Sequence, residues 1–128
     1  MLTEKDYCDY ETYVALKELG YVGICDAYYE LTGNDSYNRD SFELLYTRDF
    51  IHPDDKDRVA APLLYQAQKW LREEKFLLIV VDRLLNGEYV FSVVDILNYS
   101  EEKNGTANSY EEALSEGIKE AVKILKDE

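Results

Sequence analysis

Apolar residues along this chain follow two periods. Between Leu63 and Leu71 they recur every three or four positions: Leu63, Leu64, Ala67, Trp70 and Leu71 share one side of a helix. Tyr65, Gln66, Gln68, Lys69, Arg72 and Glu73 take much of the rest, and Pro62 suits the first helical turn, where a missing N–H costs nothing. Trp70 lies within the apolar stripe, which predicts a core side chain rather than a ligand platform. The segment SYEEALSEGIKEAVKILKDE repeats the pattern with Ala113, Leu114, Ile118, Ala121, Val122 and Leu125. Ser109 and Glu112 form a capping-box pair, and Lys119, Lys123 and Lys126 sit toward the negative end of the helix dipole. Gly117 interrupts the stripe, which predicts a close approach to a sheet. A shorter helix is predicted in DYETYVALKELGY, with Asp9 as N-cap and Gly20 just past its end; Tyr21 would then pack on Leu16.

The second period is that of a strand. KFLLIVVDRLLNGEYVFSVVDIL places two β-prone runs around Asn86-Gly87, the dipeptide favoured in two-residue hairpin turns. Such a turn pairs Leu85 with Glu88, Val81 with Ser92, Ile79 with Val94 and Leu77 with Ile96. Leu77, Ile79, Val81, Val94 and Ile96 would then face the core, with Arg83 and Val90 near the turn. The other face would carry Leu78, Val80, Leu84, Tyr89, Phe91 and Val93, interrupted by Asp82 and Asp95. It is too apolar to stay wet, so either the segment between Tyr21 and Ile51 adds strands or covers it in part, the reading favoured here, or it meets another chain, with Leu78, Val80, Tyr89, Phe91 and Val93 as the candidate interaction surface. The two aspartates read as charges that keep sheets from sticking together. DAYYEL suits a short strand, TGNDSYNRDS is rich in turn formers, and YSEEKNGTANS reads as a polar loop. The expected fold is α+β: an antiparallel sheet centred on the hairpin, with helices packed on one face, in a single domain over residues 1–128.

Charge narrows the partners. The 27 acidic against 14 basic residues give a formal charge of -13, spread over both halves of the chain. Direct contact with a phosphate backbone, which needs clustered Lys and Arg, is disfavoured, while a basic partner suits it. The longest apolar run, residues 76–81, is too short for a bilayer, and the first residues lack a signal-peptide pattern, so a cytoplasmic setting without a membrane role is expected. Cys8 and Cys25 match no zinc spacing and are expected to be reduced thiols.

Candidate chemistry is sparse. His52 is the single histidine, so any histidine-dependent nucleophile or metal site must pass through it. HPDDKD reads as a turn; Asp54, Asp55 and Asp57 could gather around a hard cation there, but the segment lacks EF-hand spacing. No Walker loop or dinucleotide fingerprint occurs, and no cofactor is indicated. Twelve tyrosines, eight of them at Tyr7, Tyr10, Tyr13, Tyr21, Tyr28, Tyr29, Tyr37 and Tyr46, suit either the margin of a small core or a recognition surface.

CDYETYVALKELGY near the start, AAPLLYQAQKWLREEKF in the middle and SYEEALSEGIKEAVKIL near the end together resemble a group of small, uncharacterised acidic proteins of Bacteroidales bacteria and their phages. That group shows a Y-C-S-Y-E start, an A-P-T segment before a W-L-R-E helix, and a final S-Y-E-E-A helix. Here Asp9 stands for the Ser and Leu63 for the Thr, and residues 32–59 have no counterpart. The resemblance implies a compact α+β fold and an origin in gut bacteria or their mobile elements, and carries no catalytic residue. The expected function is a non-catalytic protein-interaction module, with a protein partner or a second copy. Two alternatives are an acidic DNA mimic that inhibits a DNA-binding enzyme, and a carboxylate- or metal-dependent enzyme around residues 52–57.

Overall fold

The structure, a computed structural model, describes residues 4–21, 27–31, 42–46, 58–60 and 62–127. The chain gathers into two compact units, Met1–Leu63 and Leu64–Glu128. No helix among the described residues is long and apolar enough to cross a membrane. His52 to Asp57, the turn-rich TGNDSYNRDS and Cys25, each given a role in the sequence reading above, lie outside the described residues.

In the first unit, a short 3-10 turn (Glu4–Asp6) leads to α1 (Tyr10–Glu18). Asp9 caps α1, its carboxylate accepting from the Thr12 N–H at 2.8 Å and satisfying a donor the first turn leaves open. At the other end Gly20 adopts φ 108, the Tyr21 N–H donates to the Leu16 carbonyl and the Gly20 N–H to that of Lys17, both at 3.0 Å. This is the Schellman ending read from the sequence, with Leu16 and Tyr21 both buried. Three antiparallel strands follow in the order β2-β1-β3: β1 (Ala27–Leu31), β2 (Phe42–Tyr46) and β3 (Arg58–Ala60). The strand expected in DAYYEL is therefore central in its sheet.

Pro62 does not open the central helix. Its carbonyl accepts from the Cys8 N–H at 2.9 Å and Leu63 bridges Tyr7, which holds this stretch extended. Helix α2 (Leu64–Lys75) starts only beyond it.

The second unit is an α+β layer in which α2 and α3 (Tyr110–Lys126) pack on one face of the antiparallel sheet β4 (Leu77–Arg83), β5 (Tyr89–Asp95) and β6 (Ser100–Ala107). The expected fold class thus holds, but the hairpin register does not. The Gly87 N–H donates to the Leu84 carbonyl at 3.0 Å and the Leu84 N–H to the Glu88 carbonyl at 2.7 Å, so the loop has three residues rather than two. Gly87 takes φ 91 while Asn86 keeps a negative φ, the pattern of a type I turn followed by a glycine bulge. Asn86 reinforces it: its side-chain oxygen accepts from the Glu88 N–H and its amide donates to the Glu88 carboxylate. The extra loop residue moves the pairing by one, to Ile79 with Val93 and Val81 with Phe91. Because side chains alternate, a one-residue slip exchanges the two faces of β5.

The stretch 100–107, expected to be loop, is the third strand. It pairs with β5 through a bulge at Val93/Val94 and exposes Glu101, Glu102, Lys103 and Asn104 along the free edge. Charges and a bulge on an edge strand discourage further pairing, and they also hide the strand from hydrophobic patterning.

Ser109 caps helix α3, its hydroxyl accepting from the Glu112 N–H at 3.1 Å, which is the serine half of the expected capping box. Ala113, Gly117 and Ala121 recur every four residues on its buried side and let it lie low on the sheet. A Cβ on Gly117 would sit 2.6 Å from Ile79 Cγ2, so no side chain fits there without displacement. A Cβ on Gly105 would likewise stand 2.7 Å from the Phe91 ring. Two glycines, one on α3 and one on β6, therefore make room for a single aromatic ring and its neighbour.

Candidate interaction surface

The corrected register redraws the expected surface. Phe91 and Val93 are 5% and 0% exposed, facing the helices beside Leu77 and Ile79, so neither belongs to an open face. Tyr89 shares their parity, and its half-buried ring packs edge-to-face on Tyr110 at 6.2 Å, with the Arg83 guanidinium 6.0 Å from the ring centre. Of the five expected residues, Leu78 and Val80 remain on the outer face. There they stand opposite Val94 and Ser92, with Val90 farther along, and all are half-buried. Burial of the aromatic at position 91 explains the exchange, since a phenyl ring beneath α3 removes far more apolar area from water than Val90 could.

One end of this sheet carries exposed apolar side chains. The Phe76 carbonyl accepts from the Ile96 N–H at 3.0 Å, which extends the β4–β5 ladder by one step and places Phe76 beside the turn after β5. Leu97 and Tyr99 project from that turn; the three are 46%, 69% and 87% exposed. Asp95 shapes the turn, its carboxylate accepting from the Leu97 and Asn98 N–H groups at 2.9 and 3.3 Å and from the Asn98 amide at 3.1 Å. It pairs with Leu77 and so does not share a face with Asp82, which pairs with Val90: the aspartate in DIL is a turn former, not a surface guard. At the opposite end, Leu84 and Leu85 are exposed on the hairpin loop.

Trp70 is not the interior knob that the stripe suggested. Leu64, Ala67 and Leu71 are the buried positions of α2, and at 100° per residue Trp70 falls about 90° from their centre. Its indole is half-buried, with the Lys75 ammonium 5.5 Å from the ring centre. Gln68, on the same helix, donates its amide to the Ile79 carbonyl at 2.9 Å and so covers part of the outer edge of β4.

In the first unit several of the described tyrosines have a packing role. Tyr7, Tyr13 and Tyr21 are buried, and Tyr13 meets Tyr21 edge-to-face at 6.2 Å. Cys8 is a buried thiol. Among the described residues, no group of three or more His, Cys, Asp or Glu side chains is placed to hold a metal ion. Comparison with known proteins yields no matching family model, no matching curated protein and no matching solved structure.

Proposed function

We propose that this chain is a non-catalytic protein-interaction module that binds through the outer surface of the β4–β5–β6 sheet. The observation that carries this reading is the placement of the helices. In the second unit α2 and α3 lie on the inner face, while Leu78, Val80, Val90 and Val94 form a half-buried apolar outer face, and Phe76, Leu97 and Tyr99 are exposed at one end of the same sheet. Contiguous apolar surface of this kind marks binding sites more often than it occurs idly. The acidic-decoy reading finds less support: Glu116 and Glu120 on α3 stand 3.7 and 3.6 Å from Lys119 and Lys123, which interrupts any phosphate-like row of carboxylates.

Sedimentation equilibrium over a wide concentration range, together with affinity capture from the native host, tests the proposal. Val80→Lys should abolish whichever association is found while leaving the thermal unfolding midpoint within a few degrees. A strict monomer that captures nothing would contradict the proposal.

A further inference from the structure

Among the described residues, two that are not glycine adopt positive φ, Phe76 at 59° and Tyr99 at 55°. Both are large, exposed aromatics beside one turn, in a backbone region where a side chain is strained and Gly or Asn is comfortable. Within the described part of the chain no hydrogen bond or ring contact engages Tyr99. The left-handed residue closes the turn between Asp95 and Ser100, and at this position it leaves a large ring 87% exposed where a partner can reach it. The charges nearby indicate which kind of partner. Arg72 is drawn to Glu73 at 3.4 Å and Lys75 to the Trp70 ring. Exposed Glu74, Glu101 and Glu102, the last accepting from the Ser100 hydroxyl at 2.7 Å, lie close in sequence to the three apolar residues, with Lys103 beside them, on a chain of charge -13.

We propose that Phe76, Leu97 and Tyr99 anchor a basic segment of a partner protein, one in which Lys or Arg alternates with large apolar residues. The apolar side chains seat on the three-residue tip and the cations meet the carboxylates around it. This rests on the interaction-module reading and adds the chemistry of the partner. A second copy of this acidic chain is a poorer occupant, because like charges would meet there.

The test uses the full-length protein, labelled for amide chemical shifts and titrated with a capped nine-residue peptide of alternating lysine and leucine. Shifts should concentrate at Phe76, Leu97, Tyr99, Glu101 and Glu102. Lysine–glycine and glutamate–leucine peptides should leave these amides in place. Tyr99→Asn should weaken the lysine–leucine affinity at least about tenfold while raising the unfolding midpoint by about 3 °C, since Asn relieves the strain and little buried area is lost. Equal binding of the lysine–glycine peptide, or an unchanged affinity in Tyr99→Asn, would overturn the proposal. So would attachment to phosphatidylcholine vesicles through the same residues without response to the peptide. If Val80→Lys abolishes peptide binding and Tyr99→Asn does not, the module reading stands and the tip assignment falls. If no peptide moves any of these amides the tip assignment falls as well, and host capture then decides the broader reading.

Discussion

On the inner face of the β4–β5–β6 sheet, Ile79, Phe91 and Val93 are sealed beneath α3, whereas on the outer face Leu78, Val80, Val90 and Val94 stay half-buried. The strands supply both faces with similar side chains, so hydrophobicity alone does not separate them. What separates them is fit to a helix. The inner face presents a bulky ring, and α3 meets it with small residues at Ala113, Gly117 and Ala121. Close packing of this kind stabilises the inner face, and the outer face is the one proposed above for binding.

Substitutions that remove this fit should separate the two faces. Phe91→Ala should cost about 3–5 kcal/mol, the loss expected for a buried aromatic in a tight core, whereas Val80→Ala on the outer face should cost well under half of that. Urea titration of both variants checks the contrast, and equal losses would mean that the faces are packed alike. Gly117→Ala should lower stability by about 1–2 kcal/mol, because overpacking against Ile79 outweighs the gain of about 1 kcal/mol in helix propensity. A rise in the unfolding midpoint would show that α3 can lift off the sheet freely. Removing the helix cap with Ser109→Ala should cost about 1 kcal/mol without altering either face, and thermal melts should resolve it. The smallest effect should come from Lys75→Met, where a half-buried cation beside an aromatic ring contributes about 0.5–1 kcal/mol. Tryptophan fluorescence would report whether the indole changes environment.

Much of this architecture was legible in the residues. Asp9, Gly20 and Ser109 mark helix ends through local hydrogen bonds that need no tertiary partner, so their positions followed from sequence. The register was not legible, because Asn86-Gly87 serves a two-residue turn and a three-residue bulged turn equally well. Nor could polarity choose, since Tyr89, Phe91 and Val93 are as apolar as Val90 and Val94. The signal that bears on it is the pair Gly105 and Gly117, which make room for the Phe91 ring and for Ile79 on the inner face. β6 went unread because an edge strand with charges along it lacks the alternation that reveals a half-buried strand. Trp70 was placed too deep because a stripe two side chains wide has margins, and a large residue can occupy one. Of the expected surface, Leu78 and Val80 stayed on the outer face while Phe91 and Val93 moved inside with the register.

The three-residue turn at Leu85–Gly87 underlies both the inner packing and the outer surface, and one pair of variants tests it most directly. Val93→Asp and Val94→Asp differ by a single position and are compared by urea unfolding at the same pH. With Val93 buried and Val94 on the outer face, Val93→Asp should lose the cooperative transition and Val94→Asp should keep it with a modest loss. A cooperative Val93→Asp beside an unfolded Val94→Asp would restore the two-residue turn and exchange the faces of β5.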